Sequence, residues 1–197
     1  MEEELKRYSL SETTIRRAHI DDCPALADVL INATQHAFRG HVPDHCLKWI
    51  TPEESAANWA KNFKTEQSLN AGNYLFVAET KSSRVIGFAM LSKISQPNEY
   101  SQDSYKNYRH ELRSMQIHPR WQKRGLGRRL ISRVAEQVLE KGGTHLLVKM
   151  LVDNPNMGFY EHLGAVRLGS NPFSWEGYMT QEIIFGWDDA AKLIAGQ

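Results

Sequence analysis

The sequence predicts a mixed α/β fold, an α+β arrangement in which helices flank one sheet, and three observations point to it. A strand, a glycine-bearing turn and an amphipathic helix follow one another within 111–143. An apolar strand at 145–151 leads into a short helix that Gly164 ends. Shorter strand-like runs precede and follow these two motifs. Because the sequence has no repeat or linker, we expect a single domain over 1–197, with 1–11 as a flexible extension.

The N-terminal part predicts one strand and two helices. Residues 13–17 form a short strand-like run. The acidic pair at 21–22 is suited to cap a helix whose apolar stripe runs through 26–33. Thr51 precedes a proline, and Glu54 lies three positions after Thr51, which is the spacing of a capping box. A second amphipathic helix should therefore begin at this point.

Strands account for much of the remaining chain. Apolar and aromatic runs predict strands at 74–79 and 85–91, joined by the polar turn 80–84. After the two motifs, we expect two further strands at 166–168 and 178–185. Together with the strands inside the motifs, they would form one mixed sheet.

The strand at 111–117 has an irregular hydrophobic pattern. Met115 and Ile117 alternate cleanly, but Leu112 is out of phase with them. A strand with a period of two cannot direct all three side chains to one face unless it contains an extra residue. The pattern therefore predicts a β-bulge near Arg113 and Ser114.

The helix that follows this strand has an unusual beginning. Apolar residues recur every four positions from Leu126 to Val138, and charged residues cover the opposite face. A buried helix start normally uses Ser, Thr, Asp or Asn to accept its free amides, but here Gly125 and Gly127 stand among basic residues. Free amides and the positive end of the helix dipole form an anion site, for which a diphosphate is well suited. The alternative is a tight turn on a solvated surface.

Two familiar phosphate-binding loops do not fit this turn. A dinucleotide-binding fingerprint requires a glycine where Leu130 stands and an acidic residue near Leu147. A nucleoside triphosphate loop requires Gly-Lys followed by Ser or Thr, which the turn does not have. The pattern is instead Gln-x-x-Gly-x-Gly at 122–127.

This turn and a second motif resemble those of the GNAT superfamily of acetyl-CoA-dependent N-acetyltransferases. The turn matches the family's Gln/Arg-x-x-Gly-x-Gly/Ala pattern, and it follows a Glu-Leu strand that begins at Glu111. The second motif, at 154–164, resembles the family's Asn-Pro-x-x-x-Phe-Tyr-Glu-x-Leu-Gly segment. Gly158 departs from the family, whose members usually have a better helix former at that position.

The resemblance implies the GNAT fold, a twisted, mostly antiparallel mixed sheet of about six to seven strands with a splayed parallel pair and flanking helices. It also implies acetyl-CoA as the co-substrate, with its pantetheine arm paired to the strand edge that the bulge opens. The coenzyme-binding residues implied in this way are Met115, Gln116, Ile117, Gln122, Lys123, Arg124, Gly125, Leu126, Gly127, Arg128, Arg129, Asn154, Asn156, Phe159 and Tyr160.

The resemblance also implies a catalytic mechanism. The amine attacks the thioester directly in a ternary complex, and no covalent enzyme intermediate is required. Tyr160 is the expected proton donor to the departing sulfur. Glu111 is the expected base and would act through a water molecule. The alternative is that Glu111 has only a structural role.

In this fold the acceptor enters opposite the coenzyme. The segment 38–44 resembles the aromatic-x-Gly-x-x-Pro segment of family members that acetylate amines of small molecules. The polar segment 95–107 is either a lid or an exposed loop. The expected acceptor-binding residues are Phe38, His41, Tyr74, Asp103 and Trp175, with Trp59 and Tyr100 as further aromatic candidates.

We favour a primary amine of a small molecule as the acceptor. One alternative is a protein acetyltransferase for a lysine or an amino terminus, which would need an open peptide groove. The other is a non-catalytic acyl-CoA-binding sensor or interaction module.

Composition and charge argue against some classes of binding partner. The net charge is +1 and the basic residues cluster at the turn, which argues against nucleic-acid binding, and we expect no membrane association.

His41, His45 and Cys46 have partial metal-ligand spacing that no second cluster completes, so we expect no metal and place them beside the acceptor pocket. Two cysteines without a secretion signal predict a cytoplasmic protein. The resemblance also allows a homodimer.

Overall fold

A seven-stranded mixed sheet forms the centre of the protein. The computed structural model describes residues 13–48, 51–64, 72–94 and 107–194. The strands lie in the spatial order β1-β2-β3-β4-β5-β7-β6, in which β4 and β5 run parallel and the other neighbours are antiparallel. Their bounds are β1 Thr13–Arg17, β2 Tyr74–Thr80, β3 Val85–Lys93, β4 His110–Ile117, β5 Leu146–Leu151, β6 Val166–Trp175 and β7 Tyr178–Trp187. The predicted fold class, with its splayed parallel pair, is confirmed.

Helices cover both faces of this sheet. The α-helices are α1 Cys23–Phe38, α2 Pro52–Lys64, α3 Leu126–Glu140 and α4 Met157–His162. Short 3-10 helices lie at Ile20–Asp22, Asp44–Leu47, Pro119–Trp121 and Ala190–Leu193.

Alternation along the strands divides the core into two layers. On one face, Phe76 of β2 is fully buried in the cluster formed with Leu130 and Val134 of α3. On the other face, Val77 is buried against Leu26 of α1. Successive strand residues point to opposite faces, so one strand contributes to both layers. The sheet is therefore a wall between two hydrophobic cores.

The predicted bulge in β4 is confirmed. Met90 of β3 faces Ser114, whereas the next residue, Leu91, faces Leu112, so Arg113 is the extra residue. As a result, Leu112 shares the α3 side of the sheet with Met115, which is packed against the same core cluster.

β4 and β5 pair only briefly before they separate. Their paired residues are Glu111 with Leu147 and Leu112 with Val148, and the pairing stops where the bulge begins. A gap therefore opens in the middle of the sheet, between two strands whose backbones would otherwise bond to each other.

The last two strands are longer than predicted. We expected 166–168, but β6 continues to Trp175 through a segment that contains Gly169 and Pro172. These residues favour turns, yet β6 is the last strand in the sheet order and pairs with β7 on one side. A proline at such a position, here opposite Gln181, does not interrupt an interior ladder.

Asp22 does not cap α1 as predicted. Its carboxylate accepts from the backbone amide of His19 at 2.7 Å and from the Arg16 guanidinium at 2.8 and 3.0 Å. No side chain caps α1, whose first turn contains Pro24. Because proline lacks an N–H, the first turn has fewer amides to satisfy. The carboxylate instead ties the end of β1 to the start of the helix.

The capping box of α2 is confirmed. The Thr51 amide donates to the Glu54 carboxylate at 3.0 Å, and the Glu54 amide donates to the Thr51 hydroxyl at 3.2 Å.

Three expectations concern residues outside the described ranges. They are the N-terminal extension at 1–11, residues 95–106 of the segment 95–107, and the candidates Tyr100 and Asp103. Across the four described ranges, no helix combines the length and apolar character needed to span a membrane.

Replacing Thr51 with Ala should remove the cap of α2 and lower the free energy of unfolding by about 1 kcal/mol. Glu53→Ala is the control, because Glu53 lies in the same first turn but outside the capping box. Urea unfolding of the two variants and the wild type measures the difference. Equal destabilisation by both substitutions would show that the box stabilises the helix no more than an ordinary first-turn side chain does.

Candidate active site

A cleft of about 440 Å³ opens where β4 and β5 separate. Its walls come from the two separating strands, from α1 and α4, and from β6 and β7. The lining residues are Thr34, Phe38, Leu112, Arg113, Ser114, Met115, Gln116, Val148, Lys149, Met150, Leu151, Asn154, Tyr160, Phe173, Trp175 and Glu182.

The cleft connects the two faces of the sheet. Val148 and Met150 of β5 belong to the core cluster on the α3 side, and Tyr160 of α4 joins them there. Leu147 belongs to a cluster on the opposite side, so Lys149 must share that opposite side. Two molecules that approach from opposite faces of the sheet would therefore meet in this gap.

The β4 edge offers backbone groups to the gap. The His118 amide donates to Ile86 of β3 at 2.9 Å, so by alternation the amides of Met115 and Ile117 point away from β3, toward the gap. The Ile117 carbonyl already accepts from the Gln122 side-chain amide at 3.0 Å. Gln122, predicted to bind the coenzyme, thus ties the turn to the end of β4.

The turn before α3 has the geometry of an anion site. Gly125 is left-handed with φ of 80°, and no side chain caps the helix that it begins. The Arg129 amide donates to the Gly125 carbonyl at 3.2 Å, so the amides of Leu126 and Gly127 precede the first intrahelical bond. These amides and the helix dipole favour a negatively charged ligand.

Gly127 lets three elements pack closely together. A Cβ atom at Gly127 would lie 3.1 and 3.3 Å from the Phe159 ring and 3.4 Å from Ile117. Glycine is needed because α3 begins directly against α4 and β4. The contact joins the two motifs that the sequence places about thirty residues apart.

The basic side chains of the turn have separate environments. Arg129, a predicted coenzyme residue, donates to the Thr13 carbonyl at 2.8 Å and to the Thr13 hydroxyl, so it anchors β1 to α3. Arg124 lies over the Trp121 ring, 5.4 Å from its centroid. Lys123 and Arg128 are exposed beside the helix start.

The second motif presents a tyrosine to the cleft. Tyr160 is 8% exposed, and its ring packs against Phe159 and Trp187 with centroid distances of 5.1 and 6.2 Å. Burial raises the pKa of the Tyr160 phenol, so it remains protonated at neutral pH. Nearby, the Asn154 side chain lines the cleft and accepts from the Asn156 amide at 2.9 Å.

On the other face, two carboxylates share one lysine. Lys149 Nζ lies 3.7 Å from Glu111 Oε1 and 3.8 Å from Glu182 Oε2. Glu182 lines the cleft, whereas Glu111 is 6% exposed and lies behind the lining residues. Burial raises the pKa of Glu182, and the negative charge of Glu111 adds to this effect, while Lys149 and Arg113 oppose it.

Lys149 and Glu182 were not predicted as site residues from the sequence. A signal was present, because Lys149 interrupts the apolar run of β5 and Glu182 directly precedes the apolar run of β7. A charged residue inside or beside a buried strand is uncommon without a partner. Thr34 and Phe173 were also missed, and both line the cleft.

The acceptor candidates divide into two groups. Phe38 and Trp175 both line the cleft, and their rings meet edge to face at 5.3 Å. His41 is exposed and is not among the lining residues.

Tyr74 lies away from the cleft. It sits under the Arg17 guanidinium, 4.3 Å from its ring centroid, and packs against the core cluster on the α3 side. Tyr74 is not among the residues that line the cleft, and β2 lies two strands from the gap.

His45 and Cys46 hold the hairpin that carries Trp175. The Cys46 thiol donates to the Trp175 carbonyl at 3.3 Å, and His45 Nε2 lies 3.1 Å from the Glu176 carbonyl oxygen. This agrees with the expected position beside the pocket. Both cysteines of the chain, Cys23 and Cys46, are free and buried.

A family model and a related protein sequence both identify this chain as similar to N-acetyltransferases. The model of the Acetyltransferase (GNAT) family matches residues 40–165. An uncharacterized N-acetyltransferase of Bacillus subtilis (strain 168), YuaI, is 26% identical over 180 residues, which cover 91% of this chain and 95% of the relative.

Two solved structures share the fold. PaiA N-acetyltransferase from Thermoplasma acidophilum, in complex with coenzyme A, has a TM-score of 0.65 and 17% identity, and the match covers 88% of this chain and 97% of that one. YncA, a putative acetyltransferase from Salmonella typhimurium with its cofactor acetyl-CoA, has a TM-score of 0.61 and 22% identity, with coverage of 89% and 92%.

The family match covers more than half of the chain and includes β4, α3 and α4, the elements that build the gap, the anion site and the buried tyrosine. The resemblance seen in the two sequence motifs is thus confirmed, and this chain belongs to the GNAT family of acetyltransferases.

Proposed function

We propose that this enzyme transfers the acetyl group of acetyl-CoA to a primary amine of a small molecule, by direct attack in a ternary complex. The observation that carries the proposal is the cleft through the sheet, which joins an anion-binding face to a face lined with aromatic and charged side chains. Such a gap brings two substrates together without a covalent enzyme intermediate.

The residues around α3 and β4 fit acetyl-CoA. The start of α3 supplies amides for a diphosphate, and Lys123 and Arg128 add positive charge beside it. The β4 edge at Met115 and Ile117 offers backbone groups to an extended arm, as a neighbouring strand would. Asn154 lines the cleft at the other strand. Two structural neighbours contain coenzyme A or acetyl-CoA.

The shape of the cleft favours a small acceptor over a peptide. The volume of about 440 Å³ falls within the range of small-molecule sites. On the acceptor side, the Phe38 and Trp175 rings meet at 5.3 Å and offer an aromatic surface to a small apolar group. A peptide acceptor would need a groove open at both ends.

Tyr160 and a carboxylate cluster would move the protons. Tyr160 is held between two aromatic rings and stays protonated, which suits a proton donor to the departing sulfur. An amine with a lysine-like pKa costs about 4 to 5 kcal/mol to deprotonate at neutral pH, so a base accelerates the reaction. The cluster of Glu111, Lys149 and Glu182 lies on the opposite face and would take up this proton.

We also propose the cytoplasm as the location of the enzyme. Its two free, buried thiols suit a reducing compartment.

The function itself can be tested by following thiol release from acetyl-CoA with a panel of small primary amines and a panel of peptides. We expect release with at least one small amine and little with peptides. Release with peptides alone would support a protein acetyltransferase instead. Binding of coenzyme A by calorimetry without any acceptor-dependent release would support the non-catalytic sensor.

Replacing Tyr160 with Phe should lower kcat by on the order of 100-fold, because the proton donor is lost while the packed ring is kept. The dissociation constant of coenzyme A should change little. Tyr108→Phe is the matched control, since the Tyr108 hydroxyl donates to Asp188 at 2.6 Å outside the cleft. That control should lose about 1 kcal/mol of stability and keep its kcat. An unchanged kcat in the Tyr160 variant would remove it as the acid.

Gly127→Val should weaken coenzyme A binding by at least about 10-fold, which corresponds to about 1.4 kcal/mol, because the new side chain pushes Phe159 away from the start of α3. The control is Gly158→Ala, whose Cβ meets nothing within 4 Å. That variant should bind normally and gain up to about 1 kcal/mol of stability. Calorimetry and urea unfolding measure the two effects. Normal affinity in the Gly127 variant would place the diphosphate elsewhere.

A further inference from the structure

We infer that Glu182 of β7 is the carboxylate that accepts the proton of the acceptor amine, and that Glu111 of β4 is a positioning residue that acts on it through Lys149. This inference rests on the proposed function and names the residue that performs one of its steps. It differs from the expectation that Glu111 is the base.

The first support is the position of the two carboxylates. Glu182 lines the cleft and its side chain is 23% exposed, whereas the Glu111 side chain is 8% exposed and does not reach the cleft wall. A general base must come within hydrogen-bond reach of the proton that it removes, directly or through one water. As a lining residue, Glu182 can meet this requirement for an amine in the cleft, whereas Glu111 does not line the cleft and lies 3.7 Å from Lys149 Nζ.

The second support is strand register. Glu111 pairs with Leu147 of β5, Lys149 pairs with Ile184 of β7, and Glu182 pairs with Leu151. The three charged residues therefore lie on three adjacent strands and on the same face of the sheet, opposite Tyr160. The proton acceptor and the proton donor would then approach the reacting atoms from opposite sides.

The acceptor would lie among the remaining groups on this face. Phe38 of α1 and Trp175 of β6 line the same cleft as Glu182, and their rings meet edge to face. An aliphatic amine would pack its apolar part against these rings and direct its ammonium group to the carboxylate. The class of acceptor that fits is therefore a cationic primary amine with a short apolar body.

The charges around Glu182 suit proton acceptance. Burial raises its pKa, Glu111 raises it further, and Lys149 and Arg113 lower it. Its register neighbour on β6, Asn171, and the α1 residues Thr34 and Phe38 carry no charge. A carboxylate whose pKa moves toward neutrality is a better base at neutral pH. Lys149 keeps this carboxylate in place through the ion pair at 3.8 Å.

Acetyl transfer at this site begins with deprotonation of the acceptor. An N–H bond of the acceptor ammonium breaks and its proton moves to a Glu182 oxygen, which frees the nitrogen electron pair. The C–N bond forms, the C–S bond breaks, and sulfur leaves with the electron pair and takes the Tyr160 proton. The second amine proton passes to water, Tyr160 recovers a proton from water, and Glu182 releases its own. The net products are the amide, the free thiol and one proton.

The test compares Glu182→Gln with Glu111→Gln, and Glu53→Gln on the exposed start of α2 is the control. The measurement is kcat/KM for the best small amine across pH. Glu182→Gln should lower kcat/KM by on the order of 100-fold at neutral pH, and the loss should shrink as pH approaches the pKa of the amine. A purely structural role would not give this recovery. All three variants should bind coenzyme A with wild-type affinity.

Glu111→Gln should move the acid limb of the profile to lower pH. The negative charge of Glu111 raises the pKa of Glu182, so its removal lowers that pKa. A base is active above its pKa, and the variant should therefore keep its activity to lower pH than the wild type. If Glu111→Gln abolishes the acid limb while Glu182→Gln retains it, Glu111 is the base and the inference is overturned.

A readout that needs no turnover completes the test. Carboxyl carbon NMR of glutamate-labelled protein should show Glu182 titrating above the ordinary glutamate range in the wild type and lower in Glu111→Gln. An active wild type with an ordinary Glu182 titration overturns this inference alone. A wild type that releases no thiol with any amine overturns the proposed function as well.

Discussion

The separation of β4 from β5 is the constraint on which the rest of the structure depends. One extra residue, Arg113, ends their pairing after two residue pairs and leaves backbone groups of an interior strand facing a gap. Interior backbone groups need hydrogen-bond partners, so such a gap is costly unless something else occupies it. The proposed function places the reaction at this position. In this chain the gap also interrupts the sheet that separates two hydrophobic cores. One cleft therefore has two chemically different faces.

The α3 face depends on a contact between segments distant in sequence. Gly127 brings the start of α3 within contact of Phe159 in α4 and Ile117 in β4. The helix start, the strand edge and the neighbouring Tyr160 are thereby fixed relative to one another. Gln122 and Arg129 strengthen the same unit from outside, one by binding the end of β4 and the other by binding β1. The two motifs are separate in the sequence. In the structure they pack against each other as one unit.

Local signals in the sequence predicted a large part of this structure. The phase of Leu112 revealed the bulge, and the spacing of Thr51 and Glu54 revealed the capping box, because both depend on neighbours within a few residues. Contacts between residues that are distant in sequence were not predicted. Arg129 binds Thr13, Asp22 binds Arg16, and Tyr74 packs under Arg17, all contacts set by strand order. Lys149 and Glu182 stand out as charges in or beside apolar strands, but only the order β4-β5-β7 brings them to Glu111.

The β6–β7 hairpin has a consequence for how such enzymes diversify. Cys46 holds Trp175 through the Trp175 backbone carbonyl, and β6, which carries Trp175, is the last strand in the sheet order. In the proposed function, substitutions along β6 would change the aromatic wall on the acceptor side, whereas Glu182 and Tyr160 belong to β7 and α4. Acceptor preference would then vary at an edge strand while the groups proposed to move protons stay in place.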